Sequence, residues 1–355
     1  MKWLNEHSRN FLQNGYLIEG VTPEQRIEQI ANRAEEILGI DGFAEKFYDY
    51  MSKGYYSLSS PVWANFGTDK GLPISCFGSH IDDNMPSILY TQAEVGMMSK
   101  FGGGTSGYFG NLRHRGAPIT NNGTSSGSVH FMKLFESIVD VVSQGSTRRG
   151  QFSPYLPIDH PDIDEFLDIG TEGDPIQKLT HGVTVTDKWL QSMIDGDEEK
   201  RAIWAKVLQQ RVEIGYPYIF FTDTVNNEAV DVYKDKGLRI NHSNLCSEIA
   251  LPNNEEWSFV CNLSSMNLLH YDEWKETDAV ETMIYFLDAV MTEFIEKLEA
   301  MRDSDVKEER QAFEFMKRAY NFAKANRALG LGALGWHSYL QSKMIPFESL
   351  DASKL

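Results

Sequence analysis

The sequence is poor in cysteine, with three thiols in 355 residues: Cys76, Cys246 and Cys261. None of them belongs to a CxxC pair, and no closely spaced run of Cys and His surrounds them. This pattern excludes a structural zinc site and a secreted disulfide framework, which need clustered ligands or an even number of cysteines. The simplest interpretation is three unrelated buried thiols, because free cysteine is among the most buried residue types.

Long apolar runs and positive charge are also scarce. No stretch approaches the roughly 20 apolar residues of a membrane span, and the first residues lack the apolar core of a signal peptide. We therefore expect a cytoplasmic protein without membrane contacts, where thiols stay reduced. The net charge of -18 disfavours a nucleic-acid surface, because such surfaces are basic. Neither a GxxxxGK[ST] phosphate loop nor a Rossmann fingerprint is present.

The neighbours of Cys246 carry chemistry of their own. Asn244 lies two residues before the thiol and Glu248 two residues after it. On an extended segment, residues two apart point to the same side, so the amide, the sulfur and the carboxylate can face one substrate. The spacing therefore predicts a row that combines a thiol, a hydrogen-bonding amide and a general base.

The segment 244–249 (NLCSEI) resembles the radical-cysteine loop of class I ribonucleotide reductase, in its large catalytic alpha subunit. The resemblance implies that Cys246 becomes a thiyl radical, that Glu248 is the base and that Asn244 holds the substrate. It also implies that Cys76 and Cys261 form the redox pair that reduces the substrate.

Further segments extend the resemblance over nearly the whole chain. Segment 56–61 (YSLSSP) resembles a stretch in which the hydroxyl of Ser60 meets the substrate diphosphate, and Ser75 next to Cys76 joins the implied substrate-binding set. Segment 101–107 (FGGGTSG) resembles a glycine-rich stretch, in which Gly103 and Gly104 let backbone approach a nucleotide; Gly104 is also a candidate helix cap. Two further segments resemble features of the family. Segment 143–150 (SQGSTRRG) resembles a loop between the effector and substrate sites, and segment 327–332 (RALGLG) resembles a helical landmark.

Several helices follow from apolar periodicity and caps. The pattern predicts helices over 22–39, 41–53, 87–100 and 128–143, and a long one from about Asp278. The broad apolar face of segment 128–143 suits ordinary core packing. The resemblance instead implies that this helix and 87–100 form a dimer interface, with an effector nucleotide at its end. The implied effector-binding residues are Asp83, Asn84, Met85, Arg113 and Arg148, although surface arginines are more often solvated.

The expected fold is α/β. A helical N-terminal region, 1–56, precedes the first half of a ten-stranded α/β barrel, 57–355, which carries the radical cysteine on its finger loop. From the resemblance, we expect that the chain lacks the family's N-terminal ATP cone. It ends before the family's radical-relay tyrosines and C-terminal cysteines, so we expect the N-terminal half of a split or truncated subunit.

The resemblance implies reduction of ribonucleoside diphosphates to deoxyribonucleotides. It implies no metal or cofactor bound by this chain, a radical from a metal-containing small subunit (di-iron or related), and dNTP or ATP as effectors. The implied partners are a second chain with the C-terminal half, a second copy of this chain, and thioredoxin or glutaredoxin. Three alternatives stay open: a cobalamin-dependent reductase, a nucleotide-sensing module without catalysis, and a thiol oxidoreductase, which the missing CxxC argues against.

Overall fold

The computed structural model describes residues 1–145 and 147–355. Ser146, one residue of the predicted loop between effector and substrate sites, 143–150, lies outside the described part. The helices are α1 (Glu6–Gln13), α2 (Pro23–Leu38), α3 (Phe43–Lys53), α4 (Ser60–Asn65), α5 (Met85–Lys100), α6 (Ser128–Val141), α7 (Ile163–Leu167), α8 (Asp187–Ile194), α9 (Glu198–Ile214), α10 (Thr222–Asn227), α11 (Asp231–Asp235), α12 (Tyr271–Trp274), α13 (Ala279–Arg302), α14 (Lys307–Glu314), α15 (Lys317–Asn326) and α16 (Trp336–Ser342). The strands are β1 (Tyr56–Leu58), β2 (Cys76–His80), β3 (Gly104–Tyr108), β4 (Phe152–Pro157), β5 (Gly182–Val185), β6 (Tyr218–Phe221), β7 (Phe259–Cys261), β8 (Leu263–Asn267) and β9 (Gly330–Leu334).

The chain forms two compact units. The first unit comprises Met1–Ser75, Cys261–Ala300 and Asn326–Leu355, and the second comprises Cys76–Val260 and Met301–Ala325. Each is built from segments that are distant in sequence, and each has its own apolar core.

Helix α2 of the first unit begins and ends where its sequence predicts. The Thr22 hydroxyl accepts a hydrogen bond from the backbone N of Gln25, and the Gln25 side chain accepts one from the backbone N of Thr22. This reciprocal capping box satisfies two donors that an open helix end would leave without partners. Gly39 ends the helix with a φ of 64°, a conformation that glycine adopts without steric cost.

The core of the first unit lies between α3 and the long helix α13. The ring of Phe47 stacks on that of Phe286 with 4.4 Å between centroids, and both side chains are fully buried. The hydroxyl of Tyr56 in β1 donates to the carbonyl of Ala279, the first residue of α13. The long helix predicted from about Asp278 is therefore confirmed.

A three-stranded sheet completes this unit, in the order β1-β8-β9. Strand β1 is antiparallel to β8, and β9 is parallel to it. The prediction of a helical landmark at 327–332 is wrong, because Gly330 and Gly332 belong to β9. Glycine in a helix interior costs about 1 kcal/mol relative to alanine, whereas in β9 the backbone pairs with Leu263–Asn267.

The second unit is built on a six-stranded sheet in the order β6-β5-β4-β3-β2-β7. Strands β2 to β6 run parallel to their neighbours, with helices in the connections. Strand β4 is buried along nearly its whole length, as expected for a parallel sheet covered on both faces. This unit agrees with the α/β barrel-half that the sequence predicts.

Helices α5 and α6 also follow the predicted ranges with small differences. Helix α5 begins two residues early, because the Asn84 side chain caps it by accepting from the backbone N of Ser87. It ends at Lys100 with Phe101 at the cap, so Gly104 is not a helix cap but the first residue of β3. Helix α6 ends at Val141, two residues before the predicted end.

Candidate functional site

The Cys246 segment is a turn and not an extended strand. The backbone N of Ser247 donates to the carbonyl of Asn244 at 3.3 Å, and Ser247 has a φ of 67°. The Asn244 Oδ1 atom accepts from the backbone N of Glu248 at 3.1 Å and of Ile249 at 3.2 Å. The prediction of three side chains in a row on one face is therefore wrong, because the asparagine side chain accepts backbone hydrogen bonds that fold the segment into a turn.

The side chain of Asn244 is fully buried and joins this turn to β2. Its Nδ2 atom donates to the sulfur of Cys76, the first residue of β2, at 3.4 Å. From the other side, the hydroxyl of Tyr155 in β4 donates to the Asn244 carbonyl at 2.7 Å. Burial raises the pKa of Tyr155, so the hydroxyl stays a donor at neutral pH. One asparagine thus links the turn to two strands of the sheet.

A buried histidine, His242, lies next to the turn and contacts residues on both sides of it in the sequence. The Nδ1 atom of His242 lies 2.7 Å from the carbonyl oxygen of Ser243, and its Nε2 atom lies 2.8 Å from Nδ2 of Asn253. That amide also donates to the carbonyl of Gly78 in β2. Burial lowers the pKa of His242 to about 4, so the ring is neutral near pH 7. Sequence reasoning missed Tyr155, His242 and Asn253, since nothing in their local sequence sets them apart from ordinary core residues.

Cys246 and Glu248 are both exposed at the surface of the turn. Although Cys246 is exposed, nearby protein atoms displace enough water to raise the pKa of the thiol to about 11. The neighbouring Cys76 and Glu248 raise this pKa further, and the positive charge of Arg148 lowers it. Cys246 is therefore a protonated thiol at neutral pH. A protonated thiol suits chemistry that removes a hydrogen atom and suits a nucleophile poorly, because nucleophilic cysteines need a thiolate.

The glycine-rich stretch lies beside Cys76 in the sheet. Gly104 of β3 pairs in register with Cys76 of β2. A Cβ atom on Gly103 would lie 2.3 Å from the ring of Phe77, so this position excludes any side chain. Close packing on that ring explains this glycine independently of any nucleotide.

The other three predicted active-site residues belong to the first unit. The backbone N of Ser75 donates to the carbonyl of Cys261 at 3.2 Å, and both residues are buried. Ser60 is the first residue of α4 and is half-buried. The structure thus brings Ser75 and Cys261 together within this unit.

Four of the five predicted effector residues cluster before and after the start of α5. Asp83 accepts from the Nε atom of Arg113 at 2.7 Å and from its backbone N at 3.2 Å. Asn84 caps α5, and Met85 follows it with 51% of its surface exposed. The fifth, Arg148, lies close enough to Cys246 to lower the pKa of that thiol.

The fold and this cysteine turn define an α/β protein with a helical N-terminal region and a thiol site on a parallel sheet. The family model for the ribonucleotide reductase all-alpha domain matches residues 2–71, and the model for the ribonucleotide reductase barrel domain matches residues 74–200 and 194–355. The chain therefore belongs to the ribonucleotide reductase large-subunit family, as its motifs predict.

Individual relatives agree with this assignment. The solved Actinobacillus ureae class Id ribonucleotide reductase alpha subunit is 55% identical, with a TM-score of 0.91 over 100% of this chain and 64% of that chain. The ribonucleoside-diphosphate reductase large subunit of Invertebrate iridescent virus 3 is 29% identical over 96% of this chain and 62% of its own length. The vitamin B12-dependent ribonucleoside-diphosphate reductase of Mycobacterium tuberculosis (strain CDC 1551 / Oshkosh) is 30% identical over 88% of this chain and 45% of its own length.

The chain thus spans between 45% and 64% of the length of these three relatives. In the described residues, every helix is too short or too polar to cross a membrane.

Proposed function

We propose that the chain is the part of a ribonucleoside-diphosphate reductase catalytic subunit that carries the radical cysteine and the redox pair. One observation carries the proposal: Asn244 donates to the sulfur of Cys76 and at the same time shapes the turn that exposes Cys246 and Glu248. In this proposal, one buried amide joins the thiol for hydrogen abstraction, the carboxylate base and one reducing thiol. Thiyl-radical reduction of a ribonucleotide needs these three groups.

The proposed reaction converts a ribonucleoside diphosphate and two thiols into a deoxyribonucleoside diphosphate, water and a disulfide. Cys246, as a thiyl radical, removes the 3′ hydrogen of the ribose, and Glu248 accepts the proton of the 3′ hydroxyl. The 2′ hydroxyl then leaves as water. Cys76 and Cys261 supply two electrons and two protons by closing a disulfide; one proton leaves in the water and the other becomes the new 2′ hydrogen. The 3′ hydrogen returns from Cys246, and Glu248 returns its proton to the 3′ oxygen. Exchange with an external dithiol reopens the disulfide, which requires an attacking thiolate.

The protonated state of Cys246 supports its part in this sequence. Its pKa of about 11 leaves a hydrogen on the sulfur at neutral pH, so loss of one electron and one proton produces a thiyl radical. Glu248 is exposed on the same turn and can reach a substrate hydroxyl. General-base catalysis requires this access to the transferred proton.

The remaining site residues have proposed roles in binding. Substrate is held by Ser60, Ser75, Gly103, Gly104 and Asn244. The effector, a dNTP or ATP, is held by Asp83, Asn84, Met85, Arg113 and Arg148, and it shares Arg113 with Asp83 because those two already form an ion pair at 2.7 Å. Self-association through α5 and α6 is supported by exposed apolar side chains on both helices, Leu89 and Val141.

The proposal includes partners that complete the enzyme. A separate metal-containing small subunit supplies the radical, a second chain supplies the C-terminal half, and thioredoxin or glutaredoxin supplies electrons in the cytoplasm. The proposed domains are a helical region, 1–56, and a barrel half, 57–355. The exposed edge strand β9, with Leu331 and Leu334 partly exposed, supports completion by further chain.

A cobalamin-dependent reductase is the second candidate. It is supported by the 30% identity to the vitamin B12-dependent enzyme named above. The 55% identity to the class Id alpha subunit favours the two-subunit class.

The test is reduction of radiolabelled cytidine diphosphate by the purified chain with dithiothreitol and an effector nucleotide. The small subunit and a chain that supplies the C-terminal half are added separately and together. We expect turnover only when both are present. Turnover that needs adenosylcobalamin instead of the small subunit would establish the second candidate, and tight effector binding without turnover under any condition would indicate a nucleotide-sensing module.

A further inference from the structure

A fully buried carboxylate lies in the middle of α5, one of the two proposed effector helices. Glu94 has no exposed surface, and Arg318 of α15 faces it. The Nε atom of Arg318 donates to Glu94 Oε1 at 3.1 Å, and its Nη2 atom donates to Oε2 at 2.5 Å. This two-point geometry is the strongest arrangement available to an arginine and a carboxylate.

The same carboxylate accepts a hydrogen bond from each of two strand segments. The hydroxyl of Ser79 in β2 donates to Oε2 of Glu94 at 2.7 Å, and the hydroxyl of Ser258, just before β7, donates to Oε1 at 2.8 Å. Ser79 stands three residues after Cys76, and Ser258 stands three residues before Cys261. Glu94 is therefore hydrogen-bonded to the two segments that lead to the proposed redox cysteines.

Arg318 forms hydrogen bonds with the same helix and strand segments that Glu94 contacts. Its Nη1 atom donates to the carbonyl of His80 at the end of β2, and its Nη2 atom donates to the hydroxyl of Thr91 in α5. Its own carbonyl accepts from the backbone N of Ser258 at 3.2 Å. The helix, the strand and the segment before β7 are thus held through one ion pair.

Stability alone gives little reason for such a junction. Two buried charges cost several kcal/mol to desolvate, and replacing them by well-packed apolar residues is often neutral or stabilising. In some proteins a buried pair of this kind defines one arrangement of the elements that it joins. Here those elements are the proposed effector helix and the strand segments next to two cysteines.

We propose that Glu94 is a positioning residue for the reaction, which sets β2 and the segment before β7 relative to α5 and so fixes Cys76 and Cys261 for electron transfer to the substrate. The inference rests on the proposed function. Glu94 acts through the hydroxyls of Ser79 and Ser258. Either hydroxyl can be removed by substitution while the ion pair between Glu94 and Arg318 stays intact.

The test compares Ser79→Ala, Ser258→Ala and the double variant with two matched controls. In the described part of the chain, the buried hydroxyls of Ser99 in α5 and Ser153 in β4 have no hydrogen-bond partner, so Ser99→Ala and Ser153→Ala remove an equally buried oxygen without removing a bond. All variants are assayed in the complete enzyme for kcat, KM for cytidine diphosphate, effector affinity and thermal stability. A single-turnover assay without external reductant measures product formed by the internal thiols.

We expect the double variant to lower kcat and the single-turnover rate by about tenfold, because a hydrogen bond to a charged group contributes enough for that factor. KM and effector affinity should stay within twofold of the controls, and Ser258→Thr, which keeps a hydroxyl, should restore kcat relative to Ser258→Ala. A double variant whose kcat matches the controls would overturn the inference, as would a loss of kcat that merely follows a loss of folded protein. Absence of turnover in the wild-type enzyme would instead refute the proposed function.

Discussion

The Nδ2 atom of Asn244 lies 3.4 Å from the sulfur of Cys76 and donates a hydrogen bond to it. The Oδ1 atom of the same side chain accepts from the backbone of Glu248 and Ile249. One buried amide therefore sets both the position of a thiol on β2 and the shape of the turn that presents Cys246.

The two halves of this amide can be separated by substitution. Asn244→Asp keeps the acceptor oxygen for the turn but removes the donor to Cys76, whereas Asn244→Ala removes both. We expect both variants to reduce cytidine diphosphate at least about tenfold more slowly, the cost of one buried hydrogen bond to a reacting group. Circular dichroism and proteolysis of the turn should change only in Asn244→Ala. Equal disruption of the turn by both variants would contradict the division of roles.

The high pKa of Cys246 predicts slow alkylation near neutral pH. Only the thiolate reacts, and with a pKa of about 11 roughly one thiol in a thousand is ionised at pH 8. The rate with iodoacetamide should rise with pH toward 11, and mass spectrometry should find the label on Cys246 because the other two cysteines are buried. Arg148→Ala should slow the reaction at a given pH, since the arginine charge lowers this pKa. A midpoint near 8.5 would contradict the prediction.

Two buried histidines predict loss of stability in mild acid. Burial lowers the pKa of His181 to about 3 and that of His242 to about 4, from an ordinary 6.5. Below pH 6.5 the unfolded chain binds protons that the folded chain does not, so stability falls by about 1.4 kcal/mol per pH unit for each histidine, and it is level above pH 6.5. From pH 7 to 5 the two together remove about 4 kcal/mol.

Urea unfolding at pH 5 and pH 7 measures this effect. His181 is the better position to substitute, because neither ring nitrogen has a hydrogen-bond partner in the described residues and Phe166 packs against its ring. His181→Phe should remove about half of the pH dependence between 5 and 6.5. An unchanged slope in this variant would show that the ring is protonated in the folded protein.

Lys297 predicts a stability effect in the first unit. Its ammonium donates to the carbonyls of Asn65 at 3.1 Å, Thr68 at 2.6 Å and Gly71 at 3.0 Å, and it pairs with Glu293. Burial lowers the pKa of this lysine. Lys297→Met leaves the buried carboxylate and three carbonyls without this donor, so we expect a loss of about 3 kcal/mol.

The matched control for Lys297→Met is Lys46→Met. Lys46 pairs with Asp278 at 2.7 Å, but both side chains are exposed, so the expected loss is under about 1 kcal/mol. Denaturant unfolding of both variants measures the difference. Since the three carbonyls lie in the segment between Ser60 and Ser75, Lys297→Met should also raise KM for cytidine diphosphate, and equal effects of the two variants would contradict this account.

Local signals in the sequence were enough for much of the fold. The capping box at Thr22, the stop at Gly39 and the apolar stripe of α13 depend on neighbours in sequence, and the structure confirms them. The prediction of a helix at 327–332 was wrong because this segment forms strand β9, whose pairing with β8 depends on residues distant in sequence.

In the candidate site too, features set by the local sequence were predicted and features set by distant contacts were not. The motifs identified the turn that carries Cys246, but its extended geometry was wrong because the Asn244 side chain binds the backbone four and five residues further on. Tyr155, His242 and the junction at Glu94 could not be predicted. Each depends on contacts between segments far apart in sequence, such as the 224 residues between Glu94 and Arg318.

The most direct test is the yield of deoxycytidine diphosphate from the complete enzyme with Cys246→Ser, compared with wild type and with Ser153→Ala as a control. We predict no product from Cys246→Ser, with effector nucleotide bound as tightly as by wild type, and normal product from the control. Product from Cys246→Ser at the wild-type rate would contradict the assignment of Cys246 as the residue that takes the 3′ hydrogen.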